Sequence, residues 1–196
     1  MAYQLRDYSL MSHTIAALQR DHANIAKLLD ILESEILAIE VGKTPNYPLM
    51  RDIMRYMGEH SDRFHHPKED LIFAQLLKRD PSVRADVEEL ITEHVLIRLA
   101  SQEFIELLHS SGADSVDSRE QLGIFGSRYI RSLREHMAKE ELSLFPLAAE
   151  VLTRTEWRVI DGAINTIDDP LFDEMTSEDY QRLFRLIKEQ SDLSLS

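Results

Sequence analysis

One arrangement of polar residues occurs twice along this chain of 196 residues. The stretch "RDH" sets His22 behind an acid, and His65 follows 43 residues on, with Glu69 four further. The stretch "TEH" does the same with His94, which is followed 42 residues on by His136 and then, four further, by Glu140. Both copies lie on apolar stripes. Ile15, Leu18, His22, Ile25 and Leu29 step by 3 and 4, and so do Leu90, His94, Ile97 and Ser101. Such steps mark the inward seam of a helix. Six imidazoles and carboxylates on inward seams are costly to bury unless something compensates them.

The rest of the chain supports four long helices. The first runs from Ile15 to Ile39 and stops at Gly42 and Pro45. The second runs from Tyr47-Pro48 to about Arg79, with Pro67 predicting a kink or an opened turn inside it. Asp80-Pro81 then supplies a cap and a first-turn proline for the third, which carries its stripe to Leu108. Ser110–Ser118 reads as a loop. The fourth carries Leu122, Phe125, Tyr129, Leu133, His136, Glu140, Leu144, Leu147 and Val151, with Pro146 bending its end. Four helices of roughly 30 residues, each about 45 Å long, predict an all-α fold, an antiparallel up-down-up-down four-helix bundle. The expected organisation is an N-terminal tail over 1–11, the bundle over 12–155, and a partly helical C-terminal extension over 156–196. That extension holds Trp157, a turn at Asp168-Asp169-Pro170 and a short helix from near Thr176, packed on or beside the bundle.

Composition narrows the chemistry. The chain has 35 acids against 22 bases, a net charge of −13, which repels nucleic acid and anionic membrane surfaces. No window approaches the ~20 apolar residues of a membrane span. The start lacks a basic region followed by an apolar core, so a cytoplasmic location is expected. The absence of cysteine excludes disulfides and thiolate ligands.

Imidazole and carboxylate without thiolate suit iron, and less selectively manganese or zinc. Residues four apart on a helix are neighbours, so each His-x-x-x-Glu aims a nitrogen and a carboxylate at one spot. His22 and His94 add a nitrogen each from the facing helices. Two bridging glutamates and four histidines give about eight donors, and an oxo or hydroxo bridge fills two more of the roughly twelve positions of two octahedra. About two positions remain for water or a small ligand, the open coordination that reactivity requires.

Other polar residues have humbler expectations. On an ideal helix His60 points some 140°, and His66 about 100°, from the His65 direction, which sets both behind the ligands or outward. A turn distorted by Pro67 would bring either closer. Asp21 and Glu93 precede seam histidines and are candidates to orient imidazoles, with surface salt bridges as the alternative. Tyr129 lies two turns from His136 on its face, suited to core packing or to a hydrogen bond at the pocket edge. His13 and His109 are read as ordinary helix-end residues, and Met50, Met54 and Met57 as core filler.

The stretches "LQRDHANI", "FHHPKEDLIF", "ITEHVLI" and "LREHMAKEELSLFP" resemble the hemerythrin-like, or HHE cation-binding, family over about Ser12 to Leu152. The resemblance implies a bundle holding a non-haem di-iron centre. His22, His65, His94 and His136 would be terminal ligands, and Glu69 and Glu140 the bridging carboxylates. Oxygen-carrying members have two histidines spaced by four on the third helix, where this chain has Leu90 and Arg98 around His94. They also carry an aspartate five residues after the last histidine, where this chain has Glu140 at four. The four-His, two-Glu pattern is closer to the bacterial iron–sulfur repair proteins that handle nitric oxide, which also carry a cysteine-bearing domain. Animal iron sensors join a similar bundle to ubiquitin-ligase modules absent from this sequence.

The expected function is therefore a di-iron protein that binds or turns over O2, NO or peroxide, served by an electron donor if it is redox-active. The alternatives are an iron-sensing or iron-handling module whose tail reports metal occupancy, and a structural bundle with incidental histidines. Turnover and the choice between monomer and homodimer stay open at this level.

Overall fold

The computed structural model describes residues 8–110, 116–164, 171 and 180–193. Among them there is no strand. In chain order the helices are α1 (Tyr8–Glu40), α2 (Tyr47–Tyr56), α3 (His66–Arg79), α4 (Arg84–Ser110), α5 (Val116–Lys139), α6 (Phe145–Val151), α7 (Arg154–Ala163) and α8 (Gln181–Leu193). π-helical segments at Met57–His65 and Glu140–Leu144 join α2 to α3 and α5 to α6, and a 3₁₀ turn at Pro81–Val83 leads into α4. The first helix begins inside the expected N-terminal tail. The Asp168-Asp169-Pro170 turn and the expected start near Thr176 lie outside the described residues.

Local signals close the first two connections where the sequence placed them, whereas α7 was not among the expected helices. Gly42 adopts φ 74°, the left-handed region that favours glycine, and lets the Lys43 N–H return to the Ala38 carbonyl at 2.8 Å. Asn46 caps α2 by accepting the Leu49 N–H at 3.1 Å. Its own N–H donates to Glu35 at 2.6 Å, tying the connection to α1. Asp80 accepts the Ser82 N–H at 3.0 Å and starts the next run.

Four helical runs close a ring: α1 packs on α5, α5 on α4, α4 on the α2-to-α3 run, and α2 on α1. α7 lies against α1 and α3, and α8 against α2. The expected stripe of α4 is buried at Val87, Leu90, His94, Ile97, Ser101, Phe104 and Leu108.

The second and fourth runs depart from simple helices for one shared reason. Each π segment ends two residues before a proline, His65 before Pro67 and Leu144 before Pro146. Proline donates no N–H and its ring collides with the carbonyl four residues back, so the preceding turn opens to i→i+5 bonding. The extra residue in that turn rotates α6. The expected inward Leu147 and Val151 are only partly buried, and Phe145, Ala148 and Leu152 take the buried positions.

The apolar interior comes in two parts. One cluster holds Ile25, Leu29, Leu32, Met50, Met54, Met57, Phe104 and Leu133. The other holds Ile15, Leu18, Ile72, Phe73, Leu90, Phe145 and Trp157. On every run the division falls at a histidine or a glutamate. The two cores sandwich a polar layer.

Candidate metal centre

That layer contains His22, His65, His66, Glu69, His94, His136 and Glu140, all buried, with both glutamates 0% exposed. The six seam residues read from the sequence are thus brought together, and His66 joins them. Nε2 of His65 lies 3.0 Å from a Glu69 oxygen, and Nε2 of His22 lies 3.2 Å from the same oxygen. Nε2 of His136 is 3.3 Å from Glu140 Oε1 and Nε2 of His94 is 3.4 Å from it. Each carboxylate also reaches across, Glu140 to His22 and Glu69 to His94, both at 3.4 Å.

His66 was expected behind the ligands or outward, and its placement is the main correction. It stacks on His94 with ring centroids 4.4 Å apart and meets His136 edge-on at 5.9 Å. The reason is visible on a helical wheel drawn from Glu69 instead of His65. At 100° per residue His65 falls about 40° to one side of Glu69 and His66 about 60° to the other. A carboxylate between two imidazoles is what a shared ligand requires.

Two groups could each hold a metal ion: His22, His65 and Glu69, and His66, Glu69, His94 and His136, with the candidate ligand atoms in each within 4.8 Å of one another. Glu69 belongs to both. The residue at the His66 register in the second half is Met137, so one group has three imidazoles and the other two.

Behind the histidines lies a ring of acids. Nδ1 of His65 faces Asp21 at 3.2 Å, and Nδ1 of His136 faces Glu93 at 2.9 Å. Nδ1 of His94 faces Asp70 at 2.9 Å, and Nδ1 of His22 faces Glu141 at 3.0 Å. An acid at Nδ1 takes that N–H and leaves the Nε2 lone pair directed inward, the tautomer that a metal needs. The wiring is crossed throughout, because each acid neighbours one candidate ligand in sequence and orients another from a different helix. Asp21 and Glu93 were legible as orienting residues. Asp70 and Glu141 were not, although their signal is present: each follows a seam glutamate directly, in "KED" and "KEE". Lysines extend the pattern. Lys68 approaches Asp21 at 3.9 Å, and Lys139 pairs with Glu93 and Glu89. Phe73 lies against His94, and Phe145 stacks on His22 at 5.7 Å.

The remaining expectations resolve simply. Tyr129 packs in the apolar core against Phe104, centroids 6.1 Å apart. His13 and His109 are exposed. The His60 side chain lies outside the described residues.

Electrostatics test whether this layer suits a cation. Burial alone would strip the charge from His22, but Glu140 and Glu69 outweigh it and push its pKa up to about 10. For His94 burial is again outweighed, by Asp70, Glu140 and Glu69, and the value rises to about 11. Burial and the Glu69 charge oppose ionisation of Glu140, yet His136, His22 and His94 bring it down to about 2. Two buried carboxylates therefore demand positive charge. Glu69 Oε2, Glu140 Oε2 and His136 Nε2 are buried with no hydrogen bond. Bound cations would supply that charge in place of the imidazole protons and would give the unpartnered oxygens a partner.

A thiolate-free layer of histidines and carboxylates between apolar cores defines a cation-binding helical protein. The chain belongs to the hemerythrin HHE cation-binding domain family, whose profile matches residues 13–148. No curated protein matches closely enough to add a named relative. Among the described residues no helix is long and apolar enough to cross a membrane.

Proposed function

We propose that this chain is a non-haem di-iron protein of the cytoplasm, its four runs arranged up-down-up-down, that binds or reacts with O2, NO or peroxide. The observation that carries the reading is the pair of unequal donor groups sharing Glu69. His66, His94 and His136 would hold one ion, His22 and His65 the other, with Glu69 and Glu140 between. When bound, two irons would supply redox chemistry, and the group with only two imidazoles would leave more donor positions for a small ligand.

The chain's own residues do the rest. Asp21, Asp70, Glu93 and Glu141 hold each imidazole in one tautomer and rotation. Phe73 and Phe145 back His94 and His22 with apolar surface, and the two cores keep bulk water from the layer. A dry site strengthens the attraction between carboxylates and cations.

The test is metal quantification of the purified protein, with ultraviolet–visible spectra before and after anaerobic reduction and exposure to each small ligand. Two irons per chain and a ligand-dependent spectrum are expected. A protein without stoichiometric metal, or with a spectrum inert to all three ligands, would sink the reading.

One observation favours the second reading, an iron-sensing or iron-handling module. Tyr180, entering α8, donates to Glu59 in the π segment that ends at His65. Tail and centre thus share one irregular segment. On that reading metal removal raises protease sensitivity after residue 180 while small ligands leave the spectrum unchanged.

A further inference from the structure

The outer side of α4 carries an apolar stripe. Ile91, Val95 and Leu99 are 40, 42 and 54% exposed, although this helix already buries a complete inward stripe. Followed toward the N-terminus, the same outward line meets Glu88 and Arg84; followed the other way, it meets Gln102 and Glu106, all exposed. The successive steps from 84 to 106 are 4, 3, 4, 4, 3 and 4. They read the same from either end, with Val95 at the centre. At 100° per residue all these positions fall within about 80° of the helix circumference, along about 33 Å of its length.

The residue types suit an antiparallel copy and oppose a parallel one. With a two-fold axis at Val95, Ile91 meets the partner's Leu99 and Arg84 comes opposite the partner's Glu106. Glu88 meets a neutral amide, the partner's Gln102. Parallel pairing would set Glu88 on Glu88 and Glu106 on Glu106, like charge on like. The self-complementarity that an isologous interface needs lies in the residue types, Arg84 opposite the partner's Glu106 and Ile91 opposite the partner's Leu99.

We propose that the outer face of α4 is a homodimer interface, two copies of this chain packed antiparallel about a two-fold axis at Val95. Steps of 3 and 4 are those of seams that pack at shallow crossing angles, so the contact can run the length of the stripe. The centre stays closed within each copy, since His94 points about 100° away from Val95 around α4 and is buried.

Sedimentation equilibrium of the metal-loaded full chain tests this at physiological ionic strength, where a Debye length of about 8 Å screens the net repulsion of two acidic chains. A reversible monomer–dimer equilibrium is expected. Leu99→Glu should weaken association at least about tenfold, the scale of placing a charge in a small apolar seam. Arg84→Glu and Glu106→Arg should each weaken it, and the double exchange should restore it. Circular dichroism and metal content, unchanged in all variants, show that the fold is intact. Wild-type protein that stays monomeric at every concentration overturns the proposal, as does a dimer indifferent to Leu99→Glu or a double exchange that fails to rescue.

Discussion

His136 donates its Nδ1–H to Glu93, 2.9 Å away on α4, although the sequence neighbour of Glu93 is His94. Glu93 is itself gripped by Lys139, one residue before Glu140. Burial opposes its charge, but Lys139 and His136 prevail and hold its carboxyl below the usual range. Glu93→Gln keeps an acceptor and removes the charge. We expect metal affinity to fall about 10–100-fold, read by competition with a chromophoric chelator, with helicity preserved. An affinity within twofold of wild type would reduce Glu93 to a surface contact.

His66 distinguishes a five-histidine centre from a four-histidine one. His66→Ala should lower bound metal from two ions toward one per chain, leaving the His22 and His65 side loaded. Metal analysis after gel filtration decides this. Full stoichiometry in the variant would return His66 to a packing role.

Met137 stands where a sixth imidazole would complete the symmetry, and it is buried beside the layer. Met137→His should keep two metals while blunting the spectral response to small ligands, because the less saturated position gains a donor. An undiminished response would show that the open coordination lies elsewhere.

Stability should depend on pH in opposite ways with and without metal. In the metal-free protein His22 and His94 sit near 10 and 11, above their ordinary 6.5. Their contribution is full below about pH 6.5 and is lost as pH rises through those values. Glu140, near 2 against an ordinary 4.5, contributes above about pH 4.5 and loses its contribution as pH falls toward 2. The metal-free melting temperature should therefore peak between about pH 4.5 and 6.5 and decline toward pH 10. Metal displaces these protons, so its affinity rises with pH. The gap between loaded and stripped melting temperatures should widen from pH 6 to 9, and a constant gap would contradict the charge balance described for the layer.

Two glycines on α5 should respond to alanine with opposite signs. A methyl at Gly126 would overlap Ile36 and stand 3.0 Å from the Phe104 ring, while one at Gly123 meets nothing within 4 Å. Alanine gains about 1 kcal/mol in a helix interior, and overpacking costs about 1–3 kcal/mol. Gly123→Ala should raise the melting temperature and Gly126→Ala should lower it, as thermal denaturation will show.

The helices and the centre were legible because both obey a period. The 3-and-4 stripe of α1 and α4 is buried along its length, and the duplicated spacing picked out six of the seven histidines and glutamates of the buried layer. What the period could not give was the place where it breaks. Pro67 and Pro146 announced irregular turns, but the sequence does not say whether a helix answers a proline by bending or by admitting an extra residue. It admits one, and the expected inward face of α6 was displaced for that reason. His66 was set aside because its angle was judged from His65; the relevant origin was the carboxylate between them. Asp70 and Glu141 look like surface acids on their own helices, and only the neighbouring helix gives them an imidazole to hold.

The crossed wiring of the acids has a consequence for how such a centre can be divided. Asp70 on the first hairpin orients His94 on the second, and Glu141 on the second orients His22 on the first. The first hairpin carries His22, His65 and Glu69 but not the acid that orients His22, and the second lacks both the acid that orients His94 and the Glu69 and His66 that complete its donor group. Expressed apart, either would present imidazoles free to choose the wrong tautomer. The symmetry visible in the sequence is that of two interdependent parts, and a selective metal pair is a property of their union.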